Sequence, residues 1–136
     1  MAKTMIEIRP HSEWTDETAR ILRPAIEIDP LADILAEAQH VKERRITLFN
    51  VYDGEHLTAC FTGSIETAGR GDEFVIHAAA SKEGKPVTMR VVSEFDALAE
   101  QGLCGAIRTT LYNHRLMPVF RRAGYRPIAV VMRKEI

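Results

Sequence analysis

Hydrophobic and polar residues alternate with a period of two in Met5-Ile6-Glu7-Ile8, as in a half-buried strand, and Arg9-Pro10-His11-Ser12 breaks the run. The period then lengthens. Thr15 to Arg23 reads as a helix stopped by Pro24. Leu31 to Lys42 reads as a second, with Asp29 as N-cap, Pro30 at its start and Leu31, Ile34, Leu35, Ala38 and Val41 along one apolar face. Ile46 to Tyr52 and Leu57 to Glu66 are β-rich runs joined through Asp53-Gly54, a dipeptide suited to a tight hairpin. Gly69-Arg70-Gly71-Asp72 then leads into Glu73 to Ala80, whose apolar content on both faces predicts a central strand.

Helical spacing returns from about Pro86 to Gln101, where Val91, Val92, Phe95, Leu98 and Ala99 share a face and Gly102 supplies the C-terminal cap. Leu103 to Thr110 is strand-like. Asn113 to Ala123 is helical, with Leu116, Met117, Phe120 and Ala123 inward, and Tyr125 to Arg133 reads as a closing strand. The predicted order is βααβββαβαβ: an α+β, three-layer fold whose mixed, mostly antiparallel sheet has about six strands and about four helices. At 136 residues the chain fits one domain over residues 1–136, without an internal repeat.

Composition narrows the function classes. Hydrophobic residues at 46% against 27% charged leave no segment polar enough for disorder. The net charge of −1 offers no surplus of Lys and Arg to neutralise a phosphate backbone, which argues against nucleic acid as a partner. Cys60 and Cys104 lie in apolar runs, the pattern of buried free thiols in a reducing compartment. Met1 to Thr4 leads into a short strand and not into a membrane-length apolar stretch, so a cytoplasmic location is expected. No close-paired Cys or His spacing points to zinc, and no metal is expected.

The element order, together with the spacing in "NHRLMPVFRRAGY" (113–125), resembles the GNAT superfamily of acyl-CoA-dependent N-acyltransferases. In that family the last helix commonly opens on Asn, carries Tyr seven residues on, and ends in Gly and an aromatic; Asn113, Gly124 and Tyr125 fit, and Phe120 stands where the Tyr belongs. The resemblance implies a GNAT-like fold and acetyl-CoA as the acyl donor, its pantetheine arm lying between the fourth and fifth strands, here Glu73–Ala80 and Leu103–Thr110. Two parallel strands that part at one end leave unpaired backbone groups for an extended, amide-bearing ligand.

Ala78, Ala79 and Ala80 keep side chains small there; the same residues would also serve tight helix packing. The family's pyrophosphate loop, Gln or Arg, two residues, Gly, one residue, then Gly or Ala, aligns with "SKEGKP", where Ser81, Gly84 and Pro86 take the three positions. Only the glycine is kept. Lys82 and Lys85 add positive charge at a helix N-terminus, which itself favours an anion. The resemblance thus assigns Ala78, Ala80, Ser81, Lys82, Gly84, Lys85 and Asn113 to the cofactor.

For catalysis, His77 and Glu73 share side-chain parity on the fourth strand, where an imidazole or carboxylate can take the amine proton. Each has a structural reading as well: a sheet histidine held neutral by a hydrogen bond, and a solvated strand-end charge. Phe120 lacks the phenol that protonates the leaving thiolate in the family, which predicts a slow or differently equipped enzyme. Two functions follow. One is an acetyl-CoA-dependent N-acetyltransferase acting on a small-molecule or protein amine, its acceptor bound by Trp14 to Arg45. The other is a GNAT-shaped protein with degraded motifs that acts by binding, resembling some bacteriophage virion or accessory proteins. The expected partners are acyl-CoA and an amine acceptor, with a homodimer or assembly into a larger particle as further states and no membrane contact.

Overall fold

Five strands form one sheet in the order β1-β2-β3-β4-β5: Ile6–Arg9, Thr47–Asp53, His56–Ala68, Gly71–Ser81 and Ala106–Thr109. The first four run antiparallel as a meander, and β5 joins β4 in parallel through α3 (Met89–Gln101), a crossover helix. The computed structural model describes residues 6–82, 89–112 and 114–136, so Gly84, Lys85, Pro86 and Asn113 lie outside the described residues.

Helices cover both faces. On one, α1 (Asp16–Ile26) and α2 (Ile34–Lys42) bury Ile21, Leu22, Ile26 and Ile34 against Leu48, Cys60, Ala78 and Ala80. On the other, α3 and α4 (Met117–Arg122) bury Val91, Val92, Phe95, Ala99 and Phe120 against Phe49, Val51, Phe61, Phe74 and Ile76. This second layer is held by rings: Phe49 stacks on Phe61 at 4.7 Å between centroids, and Phe95 meets Phe61 edge-on at 4.8 Å.

Several boundaries differ from the sequence pattern. α1 runs past Pro24 to Ile26, because Thr15 and Thr18 cap its start reciprocally and Ile26 is buried at its end. α2 starts at Ile34, since the Asp33 carboxylate accepts the Leu35 N–H at 2.9 Å; Asp33, and not Asp29, is the N-cap. Leu31 and Leu35 accordingly face solvent, at 67% and 73% exposure, and not the core. The β2–β3 turn is centred on Gly54-Glu55, with Gly54 at φ +62°. After α3 the left-handed residue is Leu103, at φ +58°, and not Gly102, which shortens β5 at its start. From His114 the expected single helix is instead a 3₁₀ turn at His114–Leu116 and then α4, with Pro118 in the first helical turn where its missing N–H costs nothing.

The largest correction concerns the closing strand. Residues 125–133 form no strand, so among the described residues the sheet has five strands and not about six. Pro127 removes a ladder donor, and Arg133 is drawn onto Asp29 by two charge-assisted hydrogen bonds of 2.6 and 2.8 Å.

Candidate active site

Strand β4 carries an extra residue at its centre. Thr62 pairs with Ala78 and Gly63 with Ile76, so His77 stands unmatched in a β-bulge. The bulge switches the face to which alternate residues point: Phe74 and Ile76 belong to the α3 layer, whereas Ala78 and Ala80 belong to the α1 layer and Ala79 packs on the α3 side.

At the same place β4 loses β5. Their parallel ladder runs from Glu73↔Ala106 to Ile76↔Thr109 and goes no further, while β4 continues to Ser81 paired with β3 alone. The Thr109 hydroxyl donates to the Ile76 carbonyl at 3.2 Å and closes the end of the ladder. From His77 to Ser81, the β5-side edge of β4 therefore has no strand partner among the described residues. Such an edge carries backbone donors and acceptors that an extended ligand can satisfy.

The bulge aims His77 at a polar cluster. Its Nε2 lies 2.7 Å from the Ser64 hydroxyl of β3. Beyond Ser64, Glu66 faces Glu73 across the β3–β4 pair, a like-charge arrangement relieved by Arg108 of β5. The guanidinium donates to Glu66 Oε2 at 2.6 Å and to Glu73 Oε1 at 3.4 Å. Desolvation pushes the His77 pKa below its usual value; the Glu66 charge opposes this, and Arg108 and His40 of α2 reinforce it. This favours the neutral imidazole, the form able to accept a proton. Glu73, on the same face of β4, is engaged by Arg108.

The other residues singled out from sequence distribute as follows. The side chains of Ala78 and Ala80 are buried against α1, so at the open edge they offer backbone only. Ser81 and Lys82 stand at the end of β4, where the Lys82 ammonium pairs with Glu17 of α1 at 2.9 Å. Phe120 is buried in the α3 layer, edge-on to Tyr125 at 5.0 Å, and is not brought to His77. Of the three tyrosines, Tyr125 has its oxygen buried without a hydrogen-bond partner among the described residues, and Tyr112 donates to Asp29 at 3.4 Å. Ser64, Glu66 and Arg108 went unselected in the sequence, which carries no local signal for a contact made across strands. Cys60 is buried, its thiol pushed up to about 12 mainly by desolvation, which makes it an inert core residue.

No protein-family model matches the sequence, and no curated protein does. Solved structures do match. A "probable acetyltransferase" superposes with a TM-score of 0.69 at 10% identity, covering 97% of each chain. A GNAT family acetyltransferase from Staphylococcus aureus gives 0.61 at 12% identity, with 96% of this chain and 98% of that one covered. A Bacillus subtilis acetyltransferase in complex with CoA gives 0.65 at 20% identity, over 93% of this chain and 79% of that one. At such identities the likeness establishes architecture, and the architecture of this chain is the GNAT-like fold.

Proposed function

We propose that this chain is an N-acyltransferase that uses an acyl-CoA, acetyl-CoA in the simplest case, to acylate an amine. The observation that carries the reading is the parting of β4 from β5 at the His77 bulge, which joins an open backbone edge to a neutral imidazole. The shared fold with acetyltransferases, one of them solved with CoA, supports it.

The residues present suit such a ligand. The edge from Ala78 to Ser81, without a strand partner on the β5 side among the described residues, offers backbone hydrogen bonds to its amide groups, and the alanine side chains there are small. Ser81 and Lys82 lie at the end of the strand, with Gly84, Lys85 and Asn113 completing the contacts that the resemblance implies. Lys82 exchanges Glu17 for a phosphate on binding. The bound acyl-CoA would supply an activated thioester carbonyl: the amine nitrogen bonds to that carbon, the C–S bond breaks, and CoA leaves as a thiolate that takes its proton from solvent. His77 accepts the proton that the attacking amine must lose, directly or through one water. Ser64 fixes the ring orientation, and Arg108 keeps the two neighbouring carboxylates compensated so that neither competes for the amine.

A GNAT-shaped protein that acts by binding alone is a second reading, favoured by the burial of Phe120 where the family carries a phenol. Calorimetric titration with CoA, followed by an assay of thiol release from acetyl-CoA with a panel of amines, separates the two. Binding with amine-dependent release supports the enzyme. Binding without release from any amine, or no binding at millimolar CoA, refutes the enzyme and leaves the second reading.

A further inference from the structure

A cleft of about 610 Å³ opens toward the β1 edge of the sheet, between the chain that leaves β1, the end of α2 and the start of β2. It shares no lining residue with the His77 cluster or with the open edge of β4. Two turns build it. Leaving β1, the chain passes through His11 at φ +55°, and the Ser12 N–H donates to the Leu48 carbonyl at 3.0 Å, which pins the connection to β2. At the end of α2 the Arg45 N–H donates to the His40 carbonyl at 2.9 Å and the Arg44 N–H to that of Val41 at 3.1 Å. This is a Schellman closure in which Arg44, at φ +60°, holds the place that glycine usually takes. A left-handed backbone disfavours any side chain, yet both turns carry a large nitrogenous one, and both of these residues line the cleft.

The lining divides by polarity. Ile46 and Leu48 are buried and Trp14 and Val41 half-buried, which gives an apolar floor. His11, Lys42 and Arg44 stand exposed around it, with Glu13 as the one carboxylate in the lining. The acid next to them is engaged elsewhere, since Glu43 pairs with Arg45 at 3.0 Å and accepts from Gln39 at 2.9 Å. Among the described residues Lys42 and Arg44 form an ion pair with no carboxylate. The helix dipole accounts for a cation in the last turn of α2, which is Lys42. It does not account for Arg44, which lies past the helix end on a disfavoured backbone.

We propose that this cleft binds a small organic anion with a flat, apolar body, such as a carboxylate or phosphate ester of an aromatic ring. The ring packs on Trp14 over the Ile46 and Leu48 floor, and the head group meets Lys42 and Arg44. The cleft has the size of small-molecule sites, which run to roughly 300–1,000 Å³. A guanidinium takes either head group through two parallel hydrogen bonds.

Trp14 is the single tryptophan of the chain, so its emission reports on this cleft alone. Phenylacetate and phenyl phosphate are titrated into the full chain, with neutral phenylacetamide and ringless acetate as controls. Either anion should change the emission saturably, the tighter of the two naming the head group, and both controls should bind at least about tenfold more weakly. Arg44→Gly keeps the turn and removes the guanidinium. Its thermal midpoint should hold or rise while affinity for the anion falls at least about tenfold, so the loss cannot be ascribed to misfolding. Lys42→Gln should weaken binding as well. No saturable change with either anion at millimolar concentration overturns the proposal. So does phenylacetamide that binds as tightly as phenylacetate, or an affinity that survives both substitutions. The test needs no CoA, so its failure leaves the acyltransferase reading standing, and the CoA titration decides that reading without it.

Discussion

The Ser64 hydroxyl lies 2.7 Å from His77 Nε2 and joins β3 to β4 at the one position where β4 has a residue without a partner. The ring is thereby oriented, while desolvation holds its pKa below the usual histidine value of about 6.5. A base must be neutral to act, so kcat/KM for acyl transfer should rise with pH through this group and reach a plateau above it. The expected acid limb has its midpoint below about 6.5. His77→Ala should abolish the limb and lower kcat/KM by about 10²–10⁴-fold, with CoA affinity unchanged. In Ser64→Ala the limb should move and a smaller loss should follow. Profiles that are the same in all three proteins would remove His77 from the chemistry. Folding linkage has the same sign: His77 binds its proton more weakly in the fold, so stability is lost as pH falls below the unfolded value.

How much of this was legible beforehand follows the range of the interactions involved. The buried face of α3, with Val91, Val92, Phe95 and Ala99, is a local periodicity and reads directly from the chain. His77 also stands out, as a titratable residue in an apolar strand. The bulge beneath it does not, because an extra residue in β4 exists only relative to Thr62 and Gly63 of β3. Arg108 is likewise distant in sequence from the Glu66 and Glu73 that it bridges. The C-terminal segment shows the converse error: its apolar run fits a strand, but composition cannot say whether a partner edge is available within the same copy.

Phe120→Tyr restores the phenol of the family pattern, yet the ring is buried in the α3 layer against Tyr125, whose own hydroxyl already lacks a partner. The new hydroxyl enters an apolar site. We expect a stability loss of about 1–3 kcal/mol in denaturant unfolding and no gain in acyl transfer. Faster thiol release in the variant would place Phe120 at the reacting atoms and require a different local packing.

Gly63, beside the bulge, carries a steric constraint of its own. A Cβ there would meet Phe74 Cζ at 2.9 Å and the Val75 carbonyl oxygen at 3.1 Å, and the second of these is backbone in the same ladder. Gly63→Ala should therefore cost about 1–3 kcal/mol and disturb the bulge that orients His77. Gly69→Ala, in the β3–β4 turn, meets nothing within 4 Å and should stay within roughly 0.5 kcal/mol of the parent. Equal unfolding midpoints for the two variants would show that β3 and β4 shift apart at little cost.

The hydrogen bonds from Arg133, more than the Leu31 N–H or Tyr112, hold the Asp29 carboxyl well below the usual carboxylate range. A depressed pKa in the fold means that the attachment is complete above the ordinary value of about 3.9 and is lost as pH falls through the lower folded value. The C-terminal segment should thus stay tethered at neutral and mildly acidic pH and come free only in strong acid. Asp29→Asn or Arg133→Ala should release it at pH 7, seen as faster proteolytic cleavage between residues 126 and 132. The midpoint of global unfolding should move only slightly, since the Arg133 side chain is 44% exposed and its charge is screened by solvent, although Asp29 keeps only 12% of its side chain in contact with water. Cleavage at the parent rate in both variants would mean that something other than this ion pair holds the segment in place.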